Sequence, residues 1–348
     1  MSSRCFGALA VLALILHWGC GAAQTAVSDK PETPFKLATY EGKVGLVLGE
    51  TLLDVTAANE HLVREAGLPP LEIPKDMRAL IEGYDRVKPR LYQMANFFNG
   101  KTEGLAFAKA ASSAKIEAPI QYPWNLLMAA ANYQSHAAEM DTAVKVNVET
   151  EMPFLFAKSP RSCIIATGEP YFIPKGRESI DWEGELAVVV GRAAREVPLG
   201  NALDYVFGFT VIYDVSDRGG QKRENPIFQG PDWFSGKSRD RAAPMGPFIT
   251  PIEFLPNHAN LRIVTKVNDR VVQDGNTRDL IYGTKHLVHH ISNIMTLYPG
   301  DVIATGTPDG VGAGRKPPEF LKPGDLVTIE VEGIGTLATP IQAARPAS

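Results

Sequence analysis

Glu183 and Glu185 stand two apart at the head of an apolar run, Leu186-Ala187-Val188-Val189-Val190. On a β-strand that spacing puts both side chains on one face, about 6.5–7 Å apart at Cα. Two carboxylates so placed can reach one cation. Asp214 closes a second run of β-branched and aromatic residues, Tyr205 to Tyr213, and can add a third oxygen. An all-carboxylate set is hard; it suits Mg²⁺ or Mn²⁺, or Ca²⁺ where the site is roomy. A lone Glu-x-Glu is more often the solvated face of a strand. Here it has company, because Arg218, Gln221 and Lys237 follow Asp214 within two dozen residues. Arg218 and Gln221 lie four and seven residues beyond Asp214, so a helical turn there would face them the same way.

A second constellation precedes the acids. Asn132-Tyr133 leads into Ser135-His136-Ala137-Ala138-Glu139. A helix starting near Ser135 places His136 and Glu139 at i and i+3, on one face. Histidine titrates near neutral pH, and a carboxylate on one ring nitrogen fixes its tautomer and orientation. In isolation the same pair is an exposed histidine with a helical salt partner.

Several ordered motifs together resemble the catalytic domain of the fumarylacetoacetate hydrolase family. They are Asp-Trp-Glu-Gly-Glu at 181–185, Asp214-Val215-Ser216, Gly236-Lys237-Ser238 and Met245-Gly246-Pro247. The resemblance runs from about Ile116 to Ile341. It implies a mixed β-sandwich roll, usually paired as a homodimer, with a cation held by Glu183, Glu185 and Asp214. It implies that His136 and Glu139 are a general-base dyad on a mobile segment closing over the metal. Lys237, with Arg218 and Gln221, would stabilise an oxyanion. Lys158, in Ala157-Lys158-Ser159-Pro160, would face the substrate carboxylate, and Thr307, in Thr305-Gly306-Thr307-Pro308, would bind a substrate oxygen. The chain departs from the pattern at Ala130, where many relatives have glycine, and at Arg239, where relatives often have phenylalanine.

The elements that must position these groups can be read around them. Phe35–Tyr40, Lys43–Leu48 and Thr51–Val55 alternate as strands about the Glu41-Gly42 and Gly49-Glu50 turns. Two helices follow, the second near Met77 to Phe98 with a break or kink expected at Pro89. Leu105 to Lys115 is a helix or linker. Residues 34–115 thus form a small N-terminal α/β accessory domain, and 116–343 the catalytic domain, with Pro119 and Pro123 marking the boundary. In the catalytic part, Leu261–Val267 and Val271–Asp274 make a hairpin, Thr284–Leu297 an amphipathic helix stopped at Pro299-Gly300, and Leu326–Val331 a closing strand. His286, His289 and His290 lie on that helix, but adjacent histidines diverge around a helix and do not make a zinc set. Many short strands and few helices indicate an α+β, β-rich class with a closed sheet structure.

Composition is globular, with 45% apolar and 21% charged residues. The net charge of −4 and the lack of a basic run argue against a nucleic-acid partner. Residues 1–23 read as a secretory leader: Arg4, an apolar run from Phe6 to Leu16, then Gly21-Ala22-Ala23 before a cut. The run is shorter than the ~20 residues of a membrane span, so no membrane contact is expected after cleavage. A lipoprotein anchor at Cys20 is the lesser alternative, and the mature chain is expected to be secreted or periplasmic. It would keep Cys163 alone, which permits no intrachain disulfide.

Three functions follow. The first is a metal-dependent hydrolase of a carbon–carbon bond in a 2,4-dioxo acid such as an acylpyruvate, a small 2-oxo acid. The second is a decarboxylase, isomerase or hydratase acting through an enolate on oxaloacetate or a 2-oxo-dienoate. The third is an exported binding protein without turnover, against which His136, Glu139 and Lys237 argue, since binding alone needs no general base.

Overall fold

The computed structural model describes residues 27–140, 146–220 and 232–344. The leader with Cys5 and Cys20, and Gln221, lie outside the described residues. Among those described, no helix is long and apolar enough to cross a membrane.

The two apolar runs behind the acids form the centre of a large sheet. Gly184–Val190 and Val206–Tyr213 are antiparallel, registered Gly184↔Tyr213 and Glu185↔Ile212. Val302–Ala304 lies beside the first, then Leu126–Ala130 in parallel, then Phe154–Ala157 at the edge. On the other side Ala243–Pro251 pairs with Val206–Tyr213. Every residue of Gly184–Val190 and Val206–Tyr213 is buried. Unbroken apolar strands of this kind belong to a sheet covered on both faces.

One cover is a second sheet, ordered Arg270–Asn276, Arg262–Val267, Leu326–Val331, Gly335–Gln342 and Tyr171–Phe172. Leu186, Val188, Phe209 and Val211 share a core with Ile263, Ile329, Val331 and Leu337. The approach is closest at Gly184, where a Cβ would stand 2.2 Å from Thr265 Oγ1 and 2.9 Å from Ile329 Cγ2. A side chain between Glu183 and Glu185 would push the sheets apart and move both carboxylates. The other cover is helical: Ala187, Val189 and Ile212 share a core with Leu62, Leu80, Ile81, Leu91 and Met94. The class is α+β and β-rich, a mixed sandwich as expected.

The segment before residue 116 is less separate than its sequence suggests. Its strands Lys36–Tyr40, Lys43–Leu48, Thr51–Asp54 and Ala108–Ala110 continue the large sheet through the pair Leu37↔Ile249. Tyr84 and Tyr92 both donate to Glu253 Oε1, at 2.8 and 2.6 Å. The N-terminal strands and helices therefore extend the catalytic sheet and share its core, with a smaller cluster of their own at Ala38, Tyr40, Val47, Leu52 and Ala111. Two local expectations take a definite form. The long helix breaks at Gly83, between Met77–Glu82 and Tyr84–Phe98, and runs through Pro89. Buried Val87, Leu91, Met94 and Phe98 hold it across the hydrogen bond that proline forfeits. Leu105–Lys115 contains the strand Ala108–Ala110 and a 3₁₀ turn at Ala111–Ser113, not a helix.

Candidate metal and catalytic site

Asp214 follows directly on the strand Val206–Tyr213, and its backbone N–H donates to Glu183 O at 2.9 Å. That bond brings the two strand ends together. Glu183, Glu185 and Asp214 are 4%, 2% and 1% exposed. Each offers an oxygen within 4.8 Å of the others. Three buried carboxylates at that spacing cannot all be ionised without cations, and among the described residues a lysine or arginine pairs directly with only two of them. Lys237 Nζ lies 2.9 Å from Glu183 Oε2, 2.6 Å from Asp214 Oδ2 and 2.6 Å from Ser216 Oγ. Arg218 donates to Glu183 Oε1 at 2.7 Å. Burial opposes ionisation of Glu183, but Lys237 and Arg218 outweigh it and hold the carboxyl well below the usual range. Burial likewise opposes the Lys237 charge, and Asp214 and Glu183 overcome it, so the ammonium is held above its ordinary pKa.

Among the described residues no lysine or arginine pairs with Glu185, which accepts from Gly306 N at Oε2, at 2.6 Å. Burial, with Asp214 and Glu183 beside it, pushes its pKa well above the carboxylate range. A buried acid left short of positive charge, in a hard oxygen set, fits a divalent cation of the Mg²⁺ or Mn²⁺ kind. Gly306 is needed at this point: its φ is 97°, and a Cβ would stand 2.9 Å from Asn132 Cβ.

Asn132 begins the connection to the dyad. Its amide donates to Tyr282 O and Thr305 O at 2.9 and 2.8 Å and accepts from Tyr282 N at 2.8 Å. The helix Gln134–Glu139 follows. His136 Nδ1 stands 2.7 Å from Glu139 Oε1, and Gly310 N donates to Glu139 Oε2 at 2.8 Å. With Nδ1–H directed at the carboxylate, Nε2 keeps its lone pair as the acceptor. His136 lines the same small cavity as Glu183, Glu185, Asp214, Arg218 and Lys237, with a volume of about 40 Å³.

Asp181 braces the cationic side from beneath. It is fully buried and accepts from Trp182 N, Gly312 N, Ala313 N and Arg218 Nε at 2.9, 2.6, 3.1 and 2.9 Å. Arg218 is therefore held between Asp181 and Glu183. The 310–314 loop touches both halves of the site. A Cβ at Gly312 would stand 2.7 Å from Asp181 Oδ1, and one at Gly314 2.8 Å from Glu139 Oε2.

The family model described as Fumarylacetoacetate (FAA) hydrolase C-terminal matches residues 125–342. The chain belongs to the fumarylacetoacetate hydrolase family. An uncharacterized protein of Staphylococcus epidermidis is 42% identical over 226 residues, which cover 64% of this chain and 70% of that protein. The crystal structure of a putative HpcE protein from Mycobacterium smegmatis superposes with a TM-score of 0.72 at 30% identity, covering 89% of this chain and 100% of that one. Maleylpyruvate hydrolase from Sphingobium sp. SYK-6, solved with manganese (II) ion and pyruvate, gives 0.66 at 26% identity with the same coverage. Family membership and the buried acidic triad together support a metal-dependent enzyme of the fumarylacetoacetate hydrolase type.

Most residues singled out in the sequence meet at this one site. Glu183, Glu185, Asp214, His136, Arg218, Lys237 and Thr307 line the cavity, and Glu139 stands behind His136. Thr307 Oγ1 accepts from Gln273 Nε2 at 2.7 Å and donates to Gly184 O at 3.1 Å, so in this arrangement the hydroxyl ties the 305–308 turn to the Glu183–Glu185 strand. Lys158 is a correction. It is 2% exposed, and its ammonium lies 2.6 Å from Asp214 Oδ1 while donating to Val215 O and Ala242 O. It is buried behind Asp214 with two carbonyls and that carboxylate around its ammonium, and it does not line the cavity. Arg239 reaches away from the cavity, to Asp217 Oδ2 at 2.6 Å, where Arg177 pairs at 3.3 Å. Sequence reasoning gave no role to Asp181, Ser216 or Gly306. All three sit inside the quoted motifs, and that position is the signal for them.

Proposed function

We propose that the protein hydrolyses a carbon–carbon bond in a 2,4-dioxo acid of the acylpyruvate kind, releasing a carboxylic acid and pyruvate. The observation that carries this reading is one cavity holding both the carboxylate triad and the histidine of a His136–Glu139 pair. A divalent cation held by Glu183, Glu185 and Asp214 would supply Lewis-acid stabilisation of negative charge on the 2-oxo acid end. His136 Nε2, oriented by Glu139, takes a proton from water, and the oxygen attacks the distal carbonyl. The bond from that carbonyl to the methylene carbon then breaks. The electron pair stays with the pyruvate fragment, which gains a proton. Lys237 and Arg218 place positive charge beside the developing oxyanion, a class of interaction whose loss typically costs about 10²–10³ in rate.

Decarboxylation or isomerisation through an enolate needs no activated water, so His136 separates the readings. The test uses Mn²⁺-loaded wild type and His136→Ala with acylpyruvates, oxaloacetate and a 2-oxo-dienoate. Loss of about 10²–10⁴ in acylpyruvate hydrolysis, with any oxaloacetate decarboxylation falling far less, is expected. Turnover of oxaloacetate or dienoate alone, untouched by the substitution, would replace hydrolysis with enolate chemistry.

A further inference from the structure

The cavity volume of about 40 Å³ holds an ion and a few waters. It does not hold the acyl end of a 2,4-dioxo acid as well. That end must lie along the part of the lining that leads outward, and the chemistry of that part selects it. Ala129, Ala130, Ala131, Phe156 and Trp233 make up the apolar side of the lining. Phe156 comes from the edge strand Phe154–Ala157, and Trp233 opens the short helix that ends at Lys237. The Trp233 ring is 5.1 Å from the Phe156 ring and 5.5 Å from that of Phe154, centroid to centroid. Phe154 is 58% exposed, so the three rings step from the cavity wall to the surface.

Charge points the same way as shape. Aromatic faces are electron-rich and attract cations. Here Lys237 Nζ lies 5.3 Å from the Phe156 centroid and 6.0 Å from that of Trp233. The three N–H groups of that ammonium are already directed at Glu183, Asp214 and Ser216. Arg218 is likewise engaged by Asp181 and Glu183. An anionic tail laid along these rings would meet their negative faces, and the ammonium beside them has no N–H left to offer it. An uncharged flat tail would stack on them.

Resting on the acylpyruvate reading above, we infer that Phe156 and Trp233 form the subsite for the acyl tail, and that it selects an apolar, preferably aromatic tail over one ending in a carboxylate. The atoms exchanged in the reaction are unchanged by this; the subsite sets which acid is released.

The experiment measures binding separately from turnover. Benzoylpyruvate, acetylpyruvate and fumaroylpyruvate are titrated calorimetrically into Mn²⁺-loaded His136→Ala protein, which removes the general base, alone and combined with Trp233→Leu or Phe156→Leu, each checked for metal content; hydrolysis is assayed in parallel with His136 intact. The His136→Ala protein should bind benzoylpyruvate about tenfold or more tighter than fumaroylpyruvate. The benzoyl-to-acetyl affinity ratio should fall severalfold in both ring variants. Using the ratio removes any general loss from disturbing the helix that carries Lys237. Equal or tighter binding of the carboxylate-tailed ligand overturns the inference, as does a ratio unchanged in both variants, or no binding of any of the three. The selective pattern without hydrolysis would leave the subsite standing and remove the hydrolase reading.

Discussion

Replacing Glu185 with glutamine keeps the side-chain volume and an oxygen to accept the Gly306 N–H. It removes the charge of the triad member that has no lysine or arginine hydrogen-bonded to it among the described residues. If the triad holds a divalent cation, wild type at a Mn²⁺ concentration of 100 Kd gains about 2.7 kcal/mol. At about 2–4 °C per kcal/mol for chains somewhat shorter than this one, the melting temperature should rise by roughly 5–10 °C, towards the lower figure. Partners outside the coordination shell already cost about 10–100-fold in affinity when lost, so losing a ligand should cost at least about 100-fold. At the same Mn²⁺ the variant would then sit near its own Kd and gain RT ln 2, about 0.4 kcal/mol, a shift of roughly 1 °C. The pH dependence has a definite sign. The folded-state pKa of Glu185 is raised, so its contribution to metal-free stability is present below the unfolded carboxyl pKa and is lost as pH rises through the folded value. Wild type minus variant in melting temperature, without metal, should therefore decline with rising pH. In the same window metal binding should tighten and release a proton, because the ion must displace it. The assay is differential scanning fluorimetry with and without Mn²⁺ across pH, with circular dichroism to verify folding. A folded variant that keeps the full wild-type shift would show that the ion does not bind through Glu185.

Asp181→Asn should leave the Mn²⁺ shift largely intact while cutting kcat by about 10–100-fold, because it unseats Arg218 rather than a ligand; parallel metal titration and steady-state kinetics check this, and an unchanged kcat would deny Asp181 its positioning role. Gly314→Ala should press on Glu139, lowering kcat with metal affinity preserved, as steady-state kinetics and metal titration would read; a wild-type kcat would show the dyad tolerates the contact. Mass analysis of the native protein should find a chain starting near Gln24, and recovery of Met1 would refute the leader.

The strongest signals in the sequence are the local ones. Glu183, Glu185 and Asp214 declare themselves because a period of two and a strand end suffice to put three carboxylates near one point. His136 and Glu139 do so through a spacing of three on a helix. What local pattern does not contain is depth. Lys158 looks like a substrate contact, yet it is sealed behind Asp214 by carbonyls at Val215 and Ala242, contacts 57 and 84 residues away in the chain. The pairing Leu37↔Ile249, which merges the N-terminal strands with the catalytic sheet, has no local signature at all. Pro89 misleads for a related reason: burial of the Tyr84–Phe98 helix offsets a local defect, and Gly83 makes the break instead.

The central claim is that water, not rearrangement, cleaves the substrate at this site. It is tested most directly by incubating Mn²⁺-loaded protein with benzoylpyruvate in H₂¹⁸O and analysing the products by mass spectrometry. The account predicts pyruvate together with benzoate carrying one ¹⁸O, and loss of both products in His136→Ala. Unlabelled benzoate, or consumption of substrate without benzoate, would contradict it.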